Sequence, residues 1–424
     1  MTARCKPEPS NEPVVPDIGE EIVWVTLDQL QLGMFVHPLS RSSFLLRHSR
    51  DLEALRESKV VGMFVDLKRS ALPREREVPP ALADEVPAAE EPAPVVVIPP
   101  RAPAKGSTAA QRRAAQFDRA ATTLARLRAP VCTLLDEARL GKAIGGGAVA
   151  AIVEEVNAAV ADNAAAMISL ARIRDSDSFT YAHSIAVCAL MANLARRMDL
   201  DSGSQQELGT AGLLHDVGKM LIPKDILNKP GKLSIAEMEV MRTHVVRGHE
   251  LLKKSGNLPK AALEVCLSHH EKMDGTGYPE RLVGTQISLA ARMGAVCDVY
   301  DAVTSNRPYK EAWSPAECLA SMFSWEGHFD EDILSSFIRS VGIYPVGSLV
   351  RMQSDHLAIV VEQGEGDLTK PIVRIFHNIA ADSPVSPRDL SLADAKGDAI
   401  VAREQPKKWG YDDWECFWPQ LLVA

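Results

Sequence analysis

The chain has little of what an extracellular, membrane-embedded or nucleic-acid-coating protein needs. Its seven cysteines are odd in number and form no CxxC pair, which excludes a disulfide framework and a thiolate zinc site and reads as reduced thiols. No stretch reaches the roughly 18 to 20 uncharged apolar residues of a bilayer-spanning helix, because the longest Ala/Val-rich region carries Glu154, Glu155 and Asp162. A transmembrane segment is therefore not expected. The N-terminus passes from Arg4-Cys5-Lys6 straight into Pro7-Glu8-Pro9 without an apolar leader, so the expected location is the cytoplasm. Basic residues are outnumbered, 47 Lys and Arg against 56 Asp and Glu, giving a formal charge of −9. Such a surface repels a polyanion, so polymeric nucleic acid is not an expected partner, although a small anion could still find a local basic pocket. What is present, 46% apolar and 24% charged residues over 424 positions, is ordinary globular composition for two or three units of about 150 residues each.

Composition shifts divide the chain. Ile22-Val23-Trp24-Val25 and Val60-Val61-Gly62-Met63-Phe64-Val65 are β-like runs flanking a short helical stretch from Asp51 to Ser58, which predicts a small α+β domain over 20–72. Nine prolines between Pro73 and Pro103, mixed with glutamates, predict an extended linker over 73–107. Beyond it, Phe117, Leu124, Val131 and Ala138 recur every seven residues, with Ala120, Leu127 and Leu134 interleaved. That pattern fits either a coiled dimer or the buried face of one core helix, and Pro130 favours the core helix. An Ala-rich helix over 148–171 follows. Apolar spacings of three and four around 181–198, 205–217, 235–254, 259–270, 286–303 and 330–340 then predict a helical domain over 108–342. After Tyr344-Pro345-Val346-Gly347 the pattern becomes β-branched at 348–352, 357–362 and 371–376, so 343–424 is expected to be a β-rich extension.

The chemistry lies in the histidines. Only 11 occur, yet His183, His215, His244, His269 and His270 all fall in or beside apolar helical runs of one domain. A lone histidine on an apolar face is more often a satisfied core residue than a ligand. Five, with His215-Asp216 as a dipeptide and Asp298 in Cys297-Asp298-Val299, are costly to gather unless a divalent cation organises them. Spacings of tens of residues bring each candidate from its own helix, as in metal sites built within bundles. Asp301 lies one turn from Asp298. Cys188, Cys266 and Cys297 adjoin the candidates and are expected to be core fillers, since a helical neighbour points roughly 100° away. Lys219, one turn beyond His215, could reach a phosphoryl oxygen, and Arg307 and Lys310 could clamp an anion. Met273-Asp274-Gly275-Thr276-Gly277-Tyr278-Pro279 must be a loop, on which Tyr278 could stack against a base or bond a phosphate.

With these residues in view, the sequence resembles the HD-GYP phosphodiesterases of the HD superfamily. The resemblance spans roughly residues 175–345. It rests on Thr180-Tyr181-Ala182-His183, His215-Asp216-Val217-Gly218-Lys219, Leu227-Asn228-Lys229-Pro230-Gly231, and His244. It continues through His269-His270-Glu271-Lys272-Met273-Asp274-Gly275-Thr276-Gly277-Tyr278-Pro279 and Asp298-Val299-Tyr300-Asp301 to Arg307-Pro308-Tyr309-Lys310. Leu30-Gln31-Leu32-Gly33-Met34-Phe35-Val36 is similar, over a shorter match, to the N-terminal domain often found ahead of such catalytic domains.

The resemblance implies a mainly α fold: an HD-type helical bundle with a small α+β domain before it and a short β-rich appendage after it. It implies hydrolysis of cyclic di-GMP to linear pGpG, with onward cutting to GMP left open, by a hydroxide that two divalent cations share. His183, His215, Asp216, His244, His269, His270 and Asp298 would ligate the cations, with Asp216 common to both. Lys219 would meet the scissile phosphate, and Asp177, Tyr278, Asp301, Arg307 and Lys310 would contact substrate or order the site. Mn, Fe, Co, Ni and Zn all suit such nitrogen and oxygen donors. Two ions rather than three are expected. Relatives with a third place a glutamate one turn before the first ligand histidine, where this chain has Phe179. A weakly catalytic sensor or scaffold, and an HD-type hydrolase of another nucleotide, are the alternatives. A homodimer and signalling proteins are the candidate partners besides the dinucleotide.

Overall fold

In the computed structural model the described residues are 22–26, 35–37, 44–45, 62–66, 108–172, 179–305, 313–364, 366–395, 397–411 and 414–423. The helix expected at Asp51–Ser58, the Pro-rich 73–107 segment, Asp177, Arg307 and Lys310 lie outside them. The chain divides into two compact units, Met1–Leu82 and Ala83–Ala424.

In the first unit, β1 (Ile22–Thr26), β2 (Phe35–His37), β3 (Phe44–Leu45) and β4 (Gly62–Asp66) form an antiparallel sheet in the order β1-β4-β2-β3. The two β-like runs read from the sequence are neighbours in it, with Val23 opposite Val65 and Val25 opposite Met63.

The second unit opens with α1 (Ala109–Arg139), started by a reciprocal capping box between Thr108 and Gln111. Its seven-residue stripe is buried at Phe117, Ala120, Leu127, Val131, Leu134 and Ala138, and the helix runs through Pro130. The stripe packs on α2 (Gly146–Ala171) within one chain. Asn163 leaves helical geometry inside α2, and its Oδ1 accepts from the Ala166 amide, restarting the helix after the break.

Next come α3 (Phe179–Arg197), α4 (Ser202–Leu214), a 3-10 turn at Val217–Leu221, α5 (Lys224–Leu227), α6 (Ile235–Arg242) and α7 (His244–Ser255). They are followed by α8 (Lys260–Ser268), α9 (Leu289–Thr304), α10 (Pro315–Ser324) and α11 (Glu331–Val341). One core joins them, with Leu190, Leu194, Leu213, Val265, Val296 and Phe337 almost free of solvent. Each such side chain contributes about 1.5 to 3 kcal/mol by burial. Three helices end earlier than apolar spacing alone predicts. The 205–217 run stops at Leu214, 259–270 stops at Ser268, and 235–254 is two helices meeting at Thr243. Apolar periodicity reports the buried face but not the end of the hydrogen-bond ladder, and here every early end falls at a candidate ligand.

The C-terminal strands are β5 (Leu349–Met352), β6 (His356–Glu362), β7 (Ile372–Asn378), β8 (Ser383–Ser391) and β9 (Ile400–Arg403), antiparallel in the order β8-β7-β6-β5-β9. The period of two divides β6 cleanly. Leu357, Ile359 and Val361 pack with Phe117 and Trp418, while Ala358 and Val360 join Val350 and Val373 in a separate cluster. A last helix, α12 (Trp414–Val423), was not expected from the sequence; its Trp414 and Trp418 seal the first cluster. Arg113 of α1, almost fully buried, reaches Asp389 Oδ2 and Glu362 Oε2, each at 2.8 Å, and Arg374 meets the other Asp389 oxygen at 2.6 Å. The β appendage is thereby fastened to the helical domain by both apolar and ionic contacts.

Candidate metal centre and active site

The early helix ends explain the orientation of three imidazoles. The last carbonyls of a helix are short of amide donors, and here histidine side chains donate to them, the Val265 carbonyl accepting from the His269 amide as well at 3.0 Å. Nδ1 of His215 lies 2.8 Å from the Gly212 carbonyl, Nδ1 of His244 lies 2.7 Å from that of Met241, and Nδ1 of His269 lies 2.8 Å from that of Val265. A carbonyl only accepts, so each Nδ1 carries a hydrogen and each Nε2 is left to face the centre.

What they face is Asp216, just beyond α4. Its two oxygens point to two groups. Oδ2 lies 3.3 Å from His215 Nε2 and 3.4 Å from His183 Nε2, and Asp298 Oδ1 lies 3.1 Å from the latter. Oδ1 lies 3.2 Å from His244 Nε2 and 3.6 Å from His269 Nε2. The donor atoms of His183, His215, Asp216 and Asp298 fall within 4.8 Å of one another, as do those of Asp216, His244, His269 and His270. All seven residues read from the sequence as candidate ligands are thus brought together in two quartets that share Asp216. Cys188, Cys266 and Cys297 stay outside both and are buried, their thiols pushed up by desolvation.

The close approach depends on Gly218. A Cβ there would stand 1.9 Å from the His244 carbonyl oxygen and 2.6 Å from the Gly248 amide. Only glycine lets the turn carrying Asp216 and Lys219 lie flat on α7.

The residues fit divalent cations. Asp216 Oδ1, His244 Nε2 and His269 Nε2 are buried without a hydrogen-bond partner, a costly arrangement for a polar interior unless a cation takes the lone pairs. Nε2 of His183 and Nε2 of His215 stand 3.2 Å apart, a separation at which two lone pairs repel unless a proton or a cation lies between them. Burial opposes charge on His215, yet Asp216 and Asp298 outweigh it and push its pKa up to about 10. The same carboxylates, with Asp301, raise His183 against its burial. In the other quartet burial wins, and His269 and His270 are lowered. Asp216 and Asp298 are held well below the usual carboxylate range despite burial, Asp216 chiefly by Lys219 and His215, Asp298 by His183 and His215.

Around the quartets stand the other residues singled out from the sequence. Lys219 is ion-paired with Asp216 and keeps about a quarter of its side chain exposed. Asp301, expected among the groups that contact substrate or order the site, is fully buried, with Oδ2 2.6 Å from His183 Nδ1. Tyr278 stacks on His270, ring centroids 4.8 Å apart. Asp177, Arg307, Lys310 and the Phe179 side chain lie outside the described residues.

Two features were not assigned a role from sequence. Buried Glu271 accepts from the amides of Glu280, Arg281 and Leu282, folding the Tyr278 loop back on the site. Gly277 lets that loop close, since a Cβ would come within 2.4 Å of the Glu271 Cα. The other is Arg242, whose guanidinium lies over the Tyr278 ring. The only signal for Glu271 was its place directly after His269-His270, and Arg242 gave none beyond its nearness to His244.

Histidines and aspartates converging from separate helices, with a lysine beside the shared aspartate, define a metal-dependent phosphohydrolase of the HD type. Residues 156–333 match the HD domain family, and residues 23–148 match a domain of unknown function. A cyclic di-GMP phosphodiesterase of Pseudomonas aeruginosa is 40% identical over 412 residues, covering 94% of this chain and 96% of its own. A cyclic di-GMP phosphodiesterase response regulator of Xanthomonas campestris is 44% identical over 34% of this chain and 39% of its own. A 3'3'-cGAMP-specific phosphodiesterase of Vibrio cholerae is 38% identical over 37% of this chain and 30% of its own. The chain belongs to the HD-GYP family of HD-domain phosphodiesterases, which are metal-dependent. No helix among the described residues is long and apolar enough to cross a membrane.

Proposed function

We propose that the protein hydrolyses cyclic di-GMP to linear pGpG, with two divalent cations held by His183, His215, Asp216 and Asp298 and by Asp216, His244, His269 and His270. The observation that carries this reading is the division of Asp216, one oxygen in each quartet. The likeness to the Pseudomonas enzyme along nearly the whole chain supports the substrate. Bound cations would supply Lewis acidity, making water nucleophilic at neutral pH and offsetting phosphoryl charge.

The side chains do the rest. Asp301 fixes the His183 ring, so its Nε2 is aimed before substrate arrives. Lys219, ion-paired with Asp216 and about a quarter exposed, would bind a non-bridging phosphoryl oxygen and neutralise charge that grows there in the transition state. Glu271 holds the Tyr278 loop against His270, walling one side of the cleft. Asp177, Arg307 and Lys310 complete the proposed substrate contacts. Because several relatives are named for 3'3'-cGAMP, that dinucleotide is the competing substrate. Purified protein loaded in turn with Mn, Fe, Co, Ni and Zn should release pGpG from cyclic di-GMP faster than it cleaves 3'3'-cGAMP. The absence of turnover with every metal would support the sensor or scaffold reading, and preference for 3'3'-cGAMP would replace the substrate.

A further inference from the structure

We propose that Arg242 is a substrate-positioning residue that binds the phosphodiester of the cyclic dinucleotide not being cut; the inference rests on the reading above. Arg242 ends α6, two residues before His244. Its guanidinium carbon lies 5.1 Å from the Tyr278 ring centroid, and the same ring stacks on His270 at 4.8 Å and 27°. A ladder of flat groups thus leads from the second quartet, through Tyr278, to a cation at the surface.

The charge of Arg242 is not spent within the protein. Among the described residues no carboxylate lies within ion-pair distance of it. Glu237, on the same helix, is taken by Lys229 at 2.6 Å and by the Ser234 capping box. Its side chain is exposed, so one face is available to an anion while the Tyr278 ring steadies it, which lowers the entropy lost on binding.

The substrate chemistry supplies the anion. A cyclic dinucleotide carries two phosphodiesters, and Lys219 on Asp216 serves the one beside the quartets. The second must be drawn to a chain with a formal charge of −9, and an exposed guanidinium beside the Tyr278 ring adds a local cation on the second quartet's side to whatever Arg307 and Lys310 contribute. A planar guanidinium can engage two phosphate oxygens at once, whereas an ammonium acts as a point charge.

The competing explanation is that Arg242 only props Tyr278. Two substrates and two variants separate the two. With wild-type protein, Arg242→Lys and Arg242→Gln at matched metal content, kcat and KM are measured on cyclic di-GMP and on bis(p-nitrophenyl) phosphate, which has a single phosphate. Arg242→Gln should raise KM for cyclic di-GMP by ~10-fold or more with kcat within ~3-fold, and Arg242→Lys should recover part of that loss. The small diester should be cut by all three proteins at the same kcat/KM. Equal losses on both substrates would mean that Arg242 supports the loop and would overturn the proposal, as would unchanged KM for cyclic di-GMP. If wild-type protein cuts the small diester but not cyclic di-GMP, the proposed substrate fails. The same comparison on 3'3'-cGAMP, which also bears two phosphodiesters, then decides the role of Arg242.

Discussion

His183 Nδ1 lies 2.6 Å from Asp301 Oδ2, while Nε2 of the same ring lies 3.1 Å from Asp298 Oδ1, one turn earlier on α9. One helix thus supplies both a candidate ligand and the carboxylate that orients its neighbour. A carboxylate behind a ligating imidazole fixes its tautomer and raises its basicity. Asp301→Asn should therefore weaken metal binding in the first quartet by ~10- to 100-fold and leave the His244, His269 and His270 quartet loaded. Competition with a graded chelator would read this as the loss of one ion at lower chelator concentration; two unchanged affinities would remove the positioning role from Asp301.

Asp216→Ala should abolish metal retention in both quartets and with it hydrolysis, because each quartet uses one of its oxygens. Lys219→Ala should differ in kind. The ammonium is exposed enough to reach substrate and is not among the quartet donors, so metal content should persist while turnover falls by about 10²-fold, the usual scale for one transition-state charge contact. Elemental analysis beside a turnover assay separates the two variants. An unchanged rate in Lys219→Ala would make that lysine a surface charge.

Much of this was legible in the sequence because ligand chemistry uses rare residues. Five histidines and two aspartates drawn from separate helical runs could be picked out before any fold was known, and all seven converge. The helix ends were not legible, since apolar spacing continues past Leu214 and Ser268 while the helices stop there and the Gly212 and Val265 carbonyls take the His215 and His269 rings as donors. Glu271 and Arg242 were hard to read for a different reason. Charged residues are abundant, and only the folded Tyr278 loop shows that one is buried under three amides and the other lies over an aromatic ring. Helix α12 was missed because Pro419 and two tryptophans in its short span gave no helical stripe.

Asp389 should be worth more to stability than its half-exposed position suggests. It joins buried Arg113 on α1 to buried Arg374 on β7, so Asp389→Asn leaves two guanidinium groups short of a charged partner. Because Arg113 keeps Glu362 and water reaches Asp389, the cost is expected at about 1 to 3 kcal/mol, below that of breaking a fully buried pair. Burial alone would raise the Asp389 pKa, but the bonds to Arg374 and Arg113 lower it below 3.8. A depressed carboxylate stabilises the fold above its unfolded pKa and loses that contribution as pH falls through the folded value. Urea unfolding should therefore separate wild type from Asp389→Asn at pH 7, and the gap should narrow below about pH 3.9. A constant gap would assign the effect to packing.

The first quartet should couple metal uptake to proton release. Without metal, His215 is pushed up to about 10, and His183 is raised, by the carboxylates around them. At neutral pH the pair therefore holds at least one proton that a cation must displace, because an imidazole ligates only through a free lone pair. Metal affinity should rise with pH across the neutral range, and calorimetry in two buffers of different ionisation enthalpy should show net proton release at pH 7. The sign for the metal-free fold is the reverse. A histidine raised on folding contributes stability that is fully present below its unfolded pKa, near 6.5, and is lost as pH climbs through the folded value. The metal-free protein should then lose stability between about pH 6.5 and 10, and the metal-loaded protein should not. Metal binding with no buffer dependence of the measured heat would show that the quartet is already deprotonated, and the carboxylates would not be holding the proton assigned to them.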